Sequence, residues 1–314
     1  MPFKSVPQKF TASIKEVVIG TGDAAITLGG ENVLPLYSFD GPIKNPPKVG
    51  VEVSDLGPDR SIPGIAEFYQ GAQTIPEVAK KACQMPGASF IALNLESADP
   101  NGADKPIEDC VALCKEVAEA VTLPLVIQGS KNVEKDSQLF SKIAEALQGK
   151  NVLLLSAKED NYKAIAVAAI QAYNQKIGAE SAVDINLAKQ LNVVISQLGI
   201  ELDNVVMNNG SAAAGYGYEY IASTLDRVKA AALAQNDVKL QTPILTPVSE
   251  QAWSVGESQK AESDAPAGWG PQEDRGINME VVTAIANIAS GSNAVILRHP
   301  VSVATVSKFV ANII

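Results

Sequence analysis

The sequence predicts a (β/α)8 barrel preceded by a short β-hairpin. Three observations carry this: eight short β-branched or aliphatic runs, amphipathic helical segments between them, and a spacing of 35 residues on average between the starts of the runs, from Lys48 to Asn293. That spacing leaves room for one strand, one helix and two loops per unit. Several runs are apolar at consecutive positions, as expected of parallel strands covered on both sides, and eight parallel strands with eight helices close into a barrel.

In order, the runs are Lys48 to Val53, Ser89 to Leu95, Leu123 to Gln128, Asn151 to Ser156, Glu180 to Ile185, Leu202 to Met207, Gln241 to Thr246 and Asn293 to Leu297. Helices are expected where apolar residues recur at steps of three and four. Ile107, Val111, Cys114, Val117 and Val121 form one such stripe after Pro106, a good first-turn residue. Phe140, Ile143 and Leu147 form another, as do Ile277, Val281, Ile285 and Ile288, and then Val303, Val306, Val310 and Ile313. The fifth run is the weakest, because Asp184 followed by Asn186 to Leu198 reads equally as a helix cap with little strand before it.

Ahead of the barrel, Glu16 to Ile19 and Ala24 to Leu28 flank Gly20-Thr21-Gly22-Asp23, a hairpin pattern suited to covering the apolar lower mouth. The Pro-rich stretch Gly41 to Pro47 joins it to the first barrel strand, which divides the chain into a capping segment at 1–47 and a barrel at 48–314.

The 314 residues carry 25 Lys and Arg against 35 Asp and Glu, a net charge of -10, so a generic grip on nucleic-acid phosphates is excluded. The longest apolar runs, such as Ala164 to Ile170, are far shorter than the roughly 18 residues a membrane span needs. The start MPFKSVPQKF lacks a signal-peptide layout, and Cys83, Cys110 and Cys114 cannot make a disulfide framework, so a cytoplasmic protein is expected.

In such a barrel the site lies at the carboxyl ends of the strands. The residues expected to leave the strands there are Asp55, Asn94, Glu96, Gln128, Ser156, Asp184, Asn186, Asn208, Asn209, Thr246, Arg298 and His299. Most are amides and hydroxyls, which hydrogen-bond well but make poor acids, bases or metal ligands, so the pattern favours binding and no side chain is expected to act in catalysis. Cys110 and Cys114 lie on one helix face and are expected to be buried packing residues rather than cluster ligands. His299, the only histidine, has no zinc-site partners at suitable spacing and is expected to serve as a hydrogen-bonding residue beside Pro300.

Two loops stand out. Asn208 to Gly217 after the sixth run contains Asn209, Gly210, Ser211, Ala212, Ala213, Gly215 and Tyr216, and has neither dinucleotide nor P-loop spacing. Its small residues would let backbone approach a flat, bulky ligand, or serve only for packing. The connection from Pro247 to Asn278 holds both tryptophans, Trp253 and Trp269, which are expected either to be buried on the rim or to meet a partner or cofactor.

The stretches DINLAKQLN (Asp184 to Asn192), GYGYEY (Gly215 to Tyr220), GWGPQEDRGINMEVVTA (Gly268 to Ala284) and ILRHP (Ile296 to Pro300) resemble the small subunit of the corrinoid iron-sulfur protein, the delta subunit of the acetyl-CoA decarbonylase/synthase complex. The resemblance implies a heterodimer with a large subunit that carries the [4Fe-4S] cluster and a corrinoid domain, with the cobalamin held between that domain and the barrel top. It implies methyl transfer from methyltetrahydrofolate, through a separate methyltransferase, to acetyl-CoA synthase/CO dehydrogenase in the reductive acetyl-CoA pathway. On this basis the corrin-facing residues are expected to be Asn208, Asn209, Gly210, Ser211, Ala212, Ala213, Gly215, Tyr216, Thr246 and Arg298, with no metal ligand on this chain. The rival is a free-standing pterin-dependent methyltransferase, in which Asp184 and Asn94 could hold a pterin ring.

Overall fold

The computed structural model describes residues 6–314, so residues 1–5 of the capping segment lie outside it. Strands β1 (Val17–Ile19) and β2 (Ile26–Leu28) pair antiparallel as the expected hairpin, with Val17 opposite Leu28. Eight parallel strands follow: β3 (Lys48–Ser54), β4 (Phe90–Asn94), β5 (Leu125–Gln128), β6 (Leu153–Ala157), β7 (Lys176–Glu180), β8 (Val205–Asn208), β9 (Leu245–Pro247) and β10 (Ala294–Leu297). They run in the order β8-β7-β6-β5-β4-β3-β10-β9, and a parallel bridge between Met207 and Ile244 closes the barrel.

The helices are α1 (Pro63–Phe68), α2 (Ile75–Ala82), α3 (Ile107–Ala120), α4 (Val133–Ala146), α5 (Tyr162–Ala166), α6 (Ile185–Gln197), α7 (Tyr218–Ala234), α8 (Ser249–Ser254), α9 (Gly256–Gln259), α10 (Gln272–Ser290) and α11 (Pro300–Ile313). Pro106 sits one residue ahead of α3 as its N-cap. None of these helices is long and apolar enough to cross a membrane.

Alternation along the strands builds two cores. Val49, Val51, Ile91, Leu93, Ile127, Leu154 and Val295 face outward and pack with helix residues, among them the buried thiols of Cys110 and Cys114. Their neighbours in sequence, including Phe90, Ala92, Val126, Leu153, Val206 and Ile296, fill the barrel lumen, as period-two geometry requires. Gly50 belongs to this inner layer, and a Cβ there would lie 2.1 Å from the Phe90 ring. The glycine is what lets one large ring fill the bottom of a narrow barrel.

The hairpin joins that inner core. Val17, Ile19 and Leu28 cluster with the lumen residues, and the Gly20 N–H donates to the Asn151 carbonyl ahead of β6 at 2.8 Å. Beside it, Lys229 on α7 is buried with its ammonium 2.7 Å from Glu31 and 2.8 Å from Asn293, which fixes the segment after the hairpin to the barrel wall.

Two strand expectations change. The fifth strand is Lys176–Glu180, not the run from Glu180 to Ile185. Only Ile177 and Ala179 face outward there while Gly178 faces the lumen, so no apolar run marks it; Asp184 instead caps α6. The seventh strand is only three residues long, because Pro243 offers no N–H and the pairing begins near Ile244.

Replacing Ile19 with Ala should cost about 2–5 kcal/mol, the range for emptying a packed aliphatic site, whereas Val18→Ala on the exposed side should stay within about 0.5 kcal/mol. Urea unfolding of the two variants measures the difference; equal midpoints would mean that the hairpin is not part of the core.

Candidate functional site

The top of the barrel is defined by the next inward-facing position on each strand. Two residues beyond the lumen positions Gly50, Ala92, Val126, Gly178, Val206, Leu245 and Ile296 stand Glu52, Asn94, Gln128, Glu180, Asn208, Pro247 and Arg298, and Ser156 of β6 joins them in the mouth. The mouth is therefore less neutral than the sequence suggested. Glu52 lies inside the first apolar run rather than after it, and Glu180 belongs to the strand that had no apolar signal, so both acids were missed.

Most of the charge is paired. Arg298 Nη2 lies 2.7 Å from Glu52 Oε1, and the Ser249 hydroxyl donates to the other Glu52 oxygen. Lys158 lies 3.5 Å from Glu180. Asn94 donates to Glu96 at 3.0 Å, and burial, with the Glu52 charge adding to it, pushes the Glu96 carboxyl above its usual range.

The mouth splits into two lobes. The first, about 250 Å³, lies toward β5 to β8 and includes Gln128, Ser156, Lys158, Glu180, Asn208 and Ser211. Asn208 donates to the Ser156 hydroxyl at 2.9 Å and accepts from the Gly210 N–H at 3.1 Å. Gln128 Oε1 and the Ser211 hydroxyl are buried without any partner. The second lobe, about 320 Å³, lies between β3, α1 and Arg298.

Not every expected residue faces the mouth. Thr246 is fully buried and turns outward to the Ser292 hydroxyl, 2.5 Å away, because it is the outward neighbour of Leu245. Asn209 turns into the wall, donating to Ser181 at 2.9 Å. Ala213 is 1% exposed, so a bulky residue there would test packing rather than a ligand contact. Gly215 and Tyr216 are exposed, the latter donating from its hydroxyl to Glu257, and the Ala214 N–H donates to Thr283 of α10 at 3.0 Å.

Asp55 also turns away from the mouth, accepting from the Ser97 N–H at 2.9 Å. Asp184 is exposed and accepts from the Asn186 and Leu187 N–H groups as an N-cap. Its Oδ1 is committed to that cap, and the residue lines neither lobe of the mouth.

The last two motif stretches hold one another. Glu280, fully buried on α10, accepts from the Arg298 N–H at 2.6 Å and the His299 N–H at 3.2 Å, and burial pushes its carboxyl upward. Arg275 donates to three backbone carbonyls, those of Glu257, Lys260 and Gly270, which folds the connection between α9 and α10. The inward face of α10 is Gly276, Glu280, Thr283, Ala284 and Asn287 with only Ile288 apolar and large, so the stripe Ile277-Val281-Ile285 flanks the contact rather than forming its centre.

The tryptophans separate. Trp253 is buried, stacked on His299 at 5.9 Å and seated on Gly276, where a Cβ would come within 2.1 Å of its ring. Trp269 is 38% exposed, with Lys260 and Arg275 over its ring.

A family model described as CO dehydrogenase/acetyl-CoA synthase delta subunit matches residues 16–298. The chain belongs to that family. It is 31% identical to the acetyl-CoA decarbonylase/synthase complex subunit delta of Archaeoglobus fulgidus, over 98% of this chain and 70% of that protein. It is 32% identical to subunit delta 1 of Methanosarcina thermophila over 96% of this chain and 70% of the relative, and 33% identical to the Methanopyrus kandleri subunit delta over 92% and 70%.

Among solved structures, 7,8-dihydropteroate synthase from Vibrio fischeri superposes with a TM-score of 0.58 at 11% identity, over 94% of this chain and 97% of that one. Dihydropteroate synthase from Stenotrophomonas maltophilia gives 0.56 at 13% over 85% and 93%. At these identities the likeness is one of fold, and it agrees with the closed eight-stranded barrel. In this delta-family chain the clasp of α10 on the end of β10 spans the stretches Gly268 to Ala284 and Ile296 to Pro300.

His299 sits at the center of the clasp. Its Nδ1 accepts from the Val301 N–H at 3.1 Å, so the other nitrogen carries the proton and donates to Glu273 at 2.9 Å. Burial lowers its pKa and Glu273 opposes that. The unfolded chain therefore takes up a proton before the folded one does, and stability is lost as pH falls below about 6.5. Thermal unfolding of the parent chain and of His299→Gln between pH 7.5 and 5 should show a shallower pH dependence in the variant; parallel curves would mean that the imidazole titrates alike in both states.

Proposed function

We propose that the chain is the barrel subunit of a corrinoid methyl carrier, pairing with a large subunit that holds the corrinoid domain and the [4Fe-4S] cluster. The carrier would take methyl from a methyltetrahydrofolate methyltransferase and deliver it to acetyl-CoA synthase/CO dehydrogenase. Membership of the delta family supports this, and the observation that carries the site is the pair of orphaned acceptors in the first lobe, Gln128 Oε1 and Ser211 Oγ. Buried acceptors without partners are rare and costly, and the carboxamide arms of a corrinoid bring N–H donors to such groups.

The residues suited to hold it are Gln128, Asn208 and Ser211 in the lobe, and Gly210, Ala212, Gly215 and Tyr216 along the loop above, with Arg298 across the mouth. When bound, the corrinoid cobalt supplies the methyl-accepting and methyl-donating chemistry. The chain's own groups orient and shelter: Asn208 is held by Ser156 and the Gly210 N–H, and the loop backbone is anchored through Ala214 to Thr283. A free-standing pterin-dependent enzyme is the rival reading, and the use of Asp184 as the α6 cap, outside both lobes, speaks against the grip it would need.

In the heterodimer reconstituted with its large subunit, Gln128→Leu should lower cobalt retention by about tenfold, the scale of one hydrogen bond, while the barrel alone stays folded. With cobalt loading matched, alanine at Asn94 or Asn208 should cost about tenfold or less in methyl transfer, against the hundredfold to ten-thousandfold loss of a true acid or base. Turnover of methyltetrahydrofolate by the chain alone would overturn the carrier reading.

A further inference from the structure

The second lobe of the mouth is a site of its own. One wall is apolar, with Val53, Ile65 and Val78, while Glu52, Glu96 and Asp59 bring negative charge and Arg298 a single positive one. That positive charge is already matched, since Arg298 pairs with Glu52 at 2.7 Å. Glu96 accepts from Asn94 through Oε1 alone, and Asp59 holds its own loop through Oδ1 by accepting from the Ser61 N–H at 3.0 Å, so each has an oxygen left over.

A second, independent observation comes from the floor. Tyr69, at the end of α1, lines the lobe, is 2% exposed, and has a buried hydroxyl with no partner. A buried hydroxyl is ordinarily satisfied by protein, water or ligand. The lobe is open at its lip, formed by Leu56, Gly57 and Pro58: Leu56 is 65% exposed, and a Cβ on Gly57 would meet nothing within 4 Å.

We propose that this lobe binds a small organic cation, a primary ammonium or guanidinium on a short apolar chain. The cationic end meets Glu96 and Asp59 and donates to the Tyr69 hydroxyl, and the chain lies along Ile65 and Val78. The volume of about 320 Å³ admits such a molecule. The inference goes beyond the methyl-carrier reading and needs neither corrinoid nor partner subunit.

Calorimetric titration of the full chain with agmatine, n-pentanol and calcium chloride tests it. Agmatine should bind at least tenfold more tightly than n-pentanol and raise the melting temperature, and calcium should not displace it. Tyr69→Phe should weaken agmatine about five- to tenfold while leaving the free chain as stable or more stable, because it removes an unpaired buried hydroxyl. Glu96→Gln should weaken it tenfold or more, with Asp59→Asn on the exposed loop as the second arm if that variant does not fold. Equal binding of agmatine and n-pentanol, displacement by calcium, or unchanged agmatine affinity in Tyr69→Phe together with a charge variant would overturn the assignment.

Discussion

A closed ring of parallel strands has to fill its own interior, and the rest of this molecule follows from how that is done. Side chains alternate strictly, so each strand gives one set of residues to the helix layer and the other to the lumen. The lumen is apolar from Phe90 and Ala294 upward and changes character at one level, where Glu52, Asn94, Gln128, Asn208 and Arg298 take over. The same alternation that packs the core therefore delivers a ring of polar groups to the top without any loop having to place them.

Polar burial then has to be satisfied, and the way this is done explains the long motif after the seventh strand. Glu280 uses both oxygens on consecutive backbone N–H groups at the end of β10, and His299 reaches Glu273 at the start of the same helix. The ring of His299 stacks by its face on Trp253 and meets that carboxylate at its edge, and Trp253 needs Gly276 beneath it. Each residue in this group is placed by the shape or charge of another, so a single substitution there disturbs more than one contact. These contacts tie the stretch Gly268 to Ala284 to the stretch Ile296 to Pro300.

The barrel and its hairpin were legible because they rest on apolar runs and turn residues, which a single sequence displays. What was hidden rests on direction. Thr246 and Leu245 look alike as strand residues, yet one step along the pleat sends them to opposite sides of the wall. Lys176–Glu180 escaped notice because its inward position is a glycine and its outward ones are few. The inward face of α10 differs from the apolar stripe for a related reason: it reaches its neighbours through hydrogen bonds made by Glu280 and Thr283, and hydrophobic periodicity is blind to those. The orphaned oxygens of Gln128 and Tyr69 leave no trace in sequence at all, since they are defined by what does not reach them.

The hairpin beneath the lumen has a kinetic meaning as well as a packing one. With Val17, Ile19 and Leu28 seated in the lower opening and Phe90 above them, the packed interior is closed from below, and the two lobes of the mouth open only at the top. Whatever enters from the top must leave by the same route, so arrival and departure cannot overlap. A molecule or domain resting on that entrance sets the timing for everything below it, and occupancy passes in turns rather than as a flow.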